Sequence, residues 1–178
     1  CWDKKLNYPS TNYRKQLAQE TYKQNRDSEL ANKVHEQHSL IESWLTLLGV
    51  RQMYPWKLEA DDIISWLVKE KCTSSTIVSV DKDMLQLVDV HTDYYNPIKK
   101  KLINVENFVE EMGVEINQYV NFKALLGDSS DNIEGVEGYG VVKSKRLVSE
   151  GYEGIIKVLS EDNKKKFDTN IQMINLLG

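Results

Sequence analysis

Thr76-Ile77-Val78-Ser79-Val80 runs straight into Asp81-Lys82-Asp83, and the reading of this chain turns on that stretch. A short β-branched run of this kind is typical of a fully buried parallel strand, and here it stops on an acidic turn. Upstream, Glu59-Ala60-Asp61-Asp62 opens a helix with Ile63, Ile64, Leu67 and Val68 on its buried face. Before that, residues 50–54 read as a strand halted by Pro55. A longer helix begins at Ser28, carries Leu30, Val34, Leu40, Ile41, Trp44, Leu45 and Leu48, and closes at Gly49. Downstream the pattern predicts a short helix over 83–88, strands over 92–96 and 102–104, and helices over 105–112 and 116–126. A glycine-spaced loop then covers 127–140, and the remainder is helical. Strand and helix alternating through the middle predict an α/β layer with a mainly parallel central sheet flanked by helices, with a smaller helical unit beside it.

At 178 residues, with 40% hydrophobic and 28% charged side chains, the chain can bury a real core and is neither disordered nor fibrous. No apolar run approaches the ~18 residues of a membrane span, so no membrane partner is expected, and no secretory leader pattern is visible. Cys1 and Cys72 form no disulfide framework or metal spacing, which fits a reducing, cytoplasmic setting. A chain opening on Cys1 is expected to be a fragment or a processed product.

The net charge of −4 hides an uneven distribution. Residues 1–58 carry 9 basic and 6 acidic groups (+3), 59–90 carry 3 and 7 (−4), 91–135 carry 4 and 8 (−4), and 136–178 carry 7 and 6 (+1). Solvated surfaces would account for this. So would an acidic metal site flanked by phosphate-binding arms, since a polyanion needs local rather than total positive charge.

Three acidic groups sit at element boundaries. Asp81 and Asp83 follow the strand, where ligands bind in open parallel sheets. Glu59 and Asp62, with Asp61 between them, are three apart in a first helical turn, and Asp128 and Asp131 repeat that spacing in Gly127-Asp128-Ser129-Ser130-Asp131-Asn132. Singly, each has an ordinary explanation in capping, the helix dipole or a turn. If they converge, seven carboxylates share one site, and their repulsion calls for cations. Oxygen donors without His or Cys suit Mg²⁺ or Mn²⁺ rather than zinc. Two such ions ~3.5–4 Å apart form the clamp used in phosphodiester hydrolysis.

Those three blocks, read as Glu59-Ala60-Asp61-Asp62, Val80-Asp81-Lys82-Asp83-Met84-Leu85-Gln86-Leu87-Val88, and 127–140 from Gly127-Asp128 to Gly138-Tyr139-Gly140, resemble the 5′-nuclease family. That family includes phage and bacterial flap endonucleases and the 5′–3′ exonuclease domain of DNA polymerase I, enzymes of DNA replication and repair. The resemblance implies a PIN-like α/β nuclease core with a helical arch and a C-terminal helix–three-turn–helix. It places the core at 1–114, the arch near 10–48, and a duplex-binding subdomain at 115–178 that also supplies Asp128 and Asp131. It implies a two-metal, structure-specific 5′–3′ exonuclease or flap endonuclease, acting as a monomer on DNA with a 5′ end, flap or nick, or on an RNA–DNA hybrid. Mg²⁺ is the implied ion, with Mn²⁺ able to substitute.

By resemblance, Glu59, Asp61 and Asp62 match the first-metal carboxylates, and Asp81, Asp83, Asp128 and Asp131 the second cluster. Asp3 resembles the aspartate ahead of the arch. Tyr22-Lys23-Gln24-Asn25-Arg26 resembles the foot of the arch, making Lys23 and Arg26 phosphate-positioning catalytic residues, as is Lys123. Arg14 and Lys15 on the same polar helix would order around phosphates, with Tyr13 and Tyr22 stacking on bases. Gly135, Gly138 and Gly140 match the duplex-gripping hairpin, whose carbonyls hold K⁺ in many relatives, and Lys143, Lys145 and Arg146 follow as non-specific phosphate contacts.

The sequence departs from the family pattern in three ways. The family opens with a buried strand ending in an aspartate, which nothing before Cys1 supplies. Glu134 and Glu137 replace common prolines, and Val142 stands where a lysine is common. A non-cleaving, structure-specific DNA-binding fragment is therefore the alternative reading. A small toxin-type RNase fits less well, because that type lacks the glycine hairpin. His35 and His38 read as surface residues, Trp44, Trp56, Trp66, Tyr94 and Tyr95 as packing residues, and the lysine runs 99–101 and 164–166 as solvated turns.

Overall fold

The computed structural model describes residues 1–2, 28–54 and 58–176, with the backbone alone for 28–35. Helix α1 (Ser28–Leu47) ends as expected before Gly49, whose φ of 72° no β-branched residue would tolerate. The segment 50–54 is extended but pairs into no strand. It is bridged to the start of the chain by the Trp2 amide, which donates to the Met53 carbonyl (3.0 Å), and by the Trp2 indole, which donates to Gln52 Oε1 (2.8 Å).

Helix α2 (Ala60–Glu70) leads into β1 (Ser75–Val78), which runs parallel to β2 (Thr92–Asn96) with Ile77 opposite Tyr94. Strand β3 (Lys101–Ile103) closes the three-stranded sheet, antiparallel to β2. Burial alternates along β2, where Thr92, Tyr94 and Asn96 turn inward. On β1 only Ile77 is buried, while Val78 is 64% and the following Val80 59% exposed. The strand is thus not covered on both faces as its composition predicts: among the described residues it is the sheet's edge.

The 3₁₀ helix Lys82–Leu87 follows β1 and buries Met84, Leu85 and Leu87. Helix α3 (Phe108–Met112) ends at Gly113, and α4 (Tyr119–Leu126) follows the 3₁₀ turn Ile116–Gln118. The loop expected over 127–140 contains a minimal hairpin, β4 (Gly127–Asp128) against β5 (Ile133–Glu134). Gly135 is obligatory there for packing: a Cβ would stand 2.8 Å from the Leu125 carbonyl oxygen and closer still to Leu126.

Helices α5 (Val141–Val148), α6 (Gly151–Val158) and α7 (Glu161–Ile174) complete the chain. Lys164, Lys165 and Lys166 lie inside α7 rather than in a turn, because Ser160 caps the helix by accepting from the Asn163 amide. Phe167, Asn170, Met173 and Ile174 form the buried stripe of α7, which packs on α4. The buried apolar side chains make one cluster from Ile77 to Leu176, so sheet and helices share a core. Tyr94 belongs to it. Trp44 (57% exposed) and Trp66 (41%) do not, contrary to the packing role expected of them, and Trp56 lies outside the described residues.

Candidate metal centre

The acidic turn after β1 is built by its own first residue. Asp81 accepts from the Asp83 amide through Oδ1 (2.8 Å), capping the 3₁₀ helix and turning Asp83 inward, where it is 9% exposed. The Tyr119 hydroxyl, at the start of α4, donates to the Lys82 carbonyl (3.1 Å) and holds the same turn from beneath. One turn along α4 comes Lys123, buried rather than on an exposed helix face (8% exposed).

Its ammonium is shared. Lys123 Nζ donates to Asp83 Oδ1 and to Asp128 Oδ2, the latter at 2.5 Å, and so joins the turn after β1 to the hairpin after α4. Asp128 also accepts at Oδ1 from the Ser130 amide (2.9 Å) and hydroxyl (2.5 Å). Burial opposes charge on Lys123, but attraction to Asp83 and hydrogen bonds to both carboxylates outweigh it and hold the ammonium above its ordinary range. On Asp128 burial is likewise outweighed, by Lys123 and Ser130, and the carboxyl falls below its ordinary value. Burial dominates at Asp83 and pushes it up; Lys123 offsets this only in part, and the charges of Asp81 and Asp128 add to the rise. A single cation cannot satisfy both carboxylates, and the wetter one, with Ser130 beside it, stays ionised more easily.

The remaining carboxylates are placed but not gathered. Asp131 is buried (8% exposed) in the same hairpin loop. Glu59 and Asp62 form a capping box at the start of α2, with the Glu59 amide donating to Asp62 Oδ2 (3.2 Å), so capping does account for their spacing. Asp62 is nonetheless 2% exposed, and α2 packs on the 3₁₀ helix that carries Asp83. Among the described residues no three His, Cys, Asp or Glu side chains already stand close enough to hold an ion. The donor chemistry fits a hard divalent cation all the same. Asp83 and Asp128 share one ammonium and Asp83 also feels the charge of Asp81, an oxygen-only donor set of the kind hard cations take.

Asp3, Arg14, Lys15, Tyr22, Lys23 and Arg26 lie outside the described residues. In the hairpin, Gly138 has φ 83° and, like Gly140, open space where a Cβ would stand, whereas Gly135 is pressed against its own chain. Lys143 and Arg146 are exposed on α5. Lys145 instead folds back against Gly113, its ammonium 6.0 Å from the Phe122 ring centre. Three polar residues escaped the sequence reading: Tyr119, Gln86 and Asn170. For Gln86 the signal was a polar side chain within the apolar run Met84-Leu85-Gln86-Leu87-Val88, and for Asn170 it was a polar side chain at helical spacing from Phe167, Met173 and Ile174.

A family model described as the 5′-3′ exonuclease, N-terminal resolvase-like domain matches residues 1–113. The chain belongs to this family. A 5′-3′ exonuclease of Buchnera aphidicola subsp. Schizaphis graminum is 32% identical over 173 residues, covering 92% of this chain and 60% of that protein. DNA polymerase I of Streptococcus pneumoniae R6 is 37% identical over 146 residues, covering 76% of this chain and 16% of that enzyme. The chain thus spans less than two thirds of the first relative and about a sixth of the second. Among solved structures, the T5 D15 protein co-crystallized with metal ions superposes with a TM-score of 0.76 at 21% identity, over 97% of this chain and 71% of that one. This agreement establishes the PIN-like fold of phage 5′-nucleases for the exonuclease-family chain.

Proposed function

We propose that this chain is the nuclease unit of a divalent-metal-dependent 5′–3′ exonuclease or flap endonuclease, acting on DNA with a 5′ end, flap or nick. The observation that carries the reading is the buried Lys123 ammonium held between Asp83 and Asp128, in a chain whose family is that of 5′-3′ exonucleases. Asp81, Asp83, Asp128 and Asp131 would hold one ion, and Glu59, Asp61, Asp62 and Asp3 would contribute to the other. Mg²⁺, or Mn²⁺ in its place, supplies the charge that activates water and stabilises the leaving oxygen in phosphodiester hydrolysis. Once an ion holds Asp83 and Asp128, the Lys123 ammonium would be released to a phosphate oxygen, and Lys23 and Arg26, by the family resemblance, would position the same phosphate.

Residues 115–178 are assigned to duplex binding. Gly138 and Gly140 leave backbone free to approach a phosphate or a K⁺ ion, and Lys143 and Arg146 provide phosphate contacts. Lys145 is withdrawn from that role by its packing. We take it to act as a monomer in the cytoplasm of a bacterium or an infected host; in support of the setting, the two relatives are a 5′-3′ exonuclease and a DNA polymerase I of bacteria.

A 5′-labelled flap substrate tests the proposal, with Mg²⁺, with EDTA, and with Asp83→Asn. Mg²⁺-dependent cutting near the junction, lost in the variant, is the expected result. DNA binding without cutting in Mg²⁺ or Mn²⁺ would overturn it in favour of a non-cleaving binding module.

A further inference from the structure

Two side chains outside the carboxylate set tie the metal-site segments to a single helix. Gln86 lies one turn after Asp83 in the 3₁₀ helix. Its Nε2 donates to the Asp83 carbonyl (2.9 Å) and to the Ile174 carbonyl (3.1 Å), and its Oε1 accepts from the Leu176 amide (3.0 Å). Two carbonyl partners and one N–H partner fix which end of the amide is which. The second residue is Asn170, one turn before Ile174 on α7. Its Nδ2 donates to the Ala124 carbonyl (2.9 Å) and to the Glu134 carbonyl (2.9 Å). Ala124 directly follows Lys123, and Glu134 closes the hairpin whose first strand ends in Asp128.

Helix α7 therefore grips the Asp81–Asp83 turn at one point and the Asp128 hairpin at another, each time through main-chain carbonyls. If Gln86 served only to finish the helix, its bonds to Ile174 and Leu176 would suffice. The bond to Asp83, and the matching grip of Asn170 four residues earlier, are what link the two carboxylate segments. Both amides spend their NH₂ groups on buried or half-buried backbone, so neither rotates without orphaning a carbonyl.

We propose that Gln86 and Asn170 are positioning residues which set, through α7, the separation between the Asp81–Asp83 turn and the Asp128–Asp131 hairpin. That separation governs how tightly a divalent ion is held between them. The inference rests on the metal-site reading above. Shells behind metal ligands act in this way because ligands must be held to within about half an ångström, and losing such a partner typically costs about 10–100-fold in metal affinity.

The test is Mn²⁺ titration of the protein in the absence of DNA, followed by the electron paramagnetic resonance signal of free Mn²⁺. Gln86→Met keeps the side chain's length and removes all three hydrogen bonds; Asn170→Leu removes the other pair. Ser160→Ala, at the opposite end of α7, destabilises the helix without touching either segment. The two positioning variants are expected to bind Mn²⁺ about 10–100-fold more weakly, with kcat falling at limiting metal, recovering in excess metal, and KM for DNA unchanged. Ser160→Ala should lower only the melting temperature. Should Gln86→Met fail to fold, Gln86→Glu, which keeps the Leu176 contact and loses both donors, is titrated instead against Asp168→Asn as a surface control. Mn²⁺ affinity equal to wild type in the positioning variants, or an equal loss in Ser160→Ala, overturns the inference while leaving the metal site standing. A wild-type protein that binds no Mn²⁺, indistinguishable from Asp83→Asn, overturns the metal-site reading and this inference with it.

Discussion

Replacing Lys123 with methionine removes the one cation that, among the described residues, is bonded to both Asp83 and Asp128. Lys123, Asp83 and Asp128 keep only 10%, 13% and 19% of their side-chain surface in water, so solvent compensates little. Removing one partner of a buried ion pair costs about 3–5 kcal/mol, and here two carboxylates lose the same cation. We expect Lys123→Met to destabilise the fold by about 3–5 kcal/mol at pH 7 in EDTA, read from urea unfolding midpoints at constant m. The sign of the pH dependence follows from the carboxylates. In the wild type, Asp128 lies below its ordinary value, so its contribution is present at neutral pH and lost as pH falls through its folded value. Asp83 lies above its ordinary value, so its protonated form is the one that favours folding, and that benefit is lost as pH rises through its folded value. Without Lys123, burial and mutual repulsion are opposed only by the Ser130 hydrogen bonds at Asp128, and both carboxyls rise. The variant must therefore regain stability on acidification from pH 7 to pH 5, narrowing its gap to wild type by about 1.4 kcal/mol for each unit of added rise that is titrated. Mg²⁺ stabilises both proteins, so it narrows the gap only by as much as the variant binds it more tightly, about 1.4 kcal/mol for each tenfold. A gap that stays constant with pH would refute the idea that Lys123 serves as the cation of this site, and would reduce its role to packing.

Gly135→Ala should destabilise the chain by at least about 1–3 kcal/mol, because the new methyl collides with the main chain of Leu125 and Leu126; thermal unfolding checks this. Gly138→Ala meets nothing within reach but sits at φ 83°, so about 1–2 kcal/mol of local strain is expected, together with weaker duplex binding by anisotropy. Lys143→Ala and Arg146→Ala should each lower the salt slope of duplex binding by about 1, whereas Lys145→Ala should leave that slope unchanged and cost stability instead, through its loss against Gly113 and Phe122.

The elements around the site were legible because each rests on local rules. The β-branched run before Asp81 became β1, Glu59 capped α2 as an acidic residue before an apolar stripe should, and residues 92–96 became β2 at those limits. Burial on β1 was not legible. Val78 and Val80 look like core residues because β-branching reports the pleated backbone, whereas exposure depends on which segment lies alongside. Lys164–Lys166 misread as a turn for a related reason: charge signals solvent contact, which one face of a helix provides as well as a loop does.

The site itself divides along the same line. Carboxylates at element ends are visible in sequence because their spacing is short, whereas what joins them spans long separations. Lys123 reaches Asp83 across 40 residues, and Gln86 reaches Ile174 and Leu176 across 88 and 90. These contacts close loops of 40, 88 and 90 residues, and no local spacing rule announces them. A site built in this way is exposed to damage far from its ligands. A substitution in α7 that leaves every carboxylate in place can still alter the distance across which Lys123, or a divalent ion, must act.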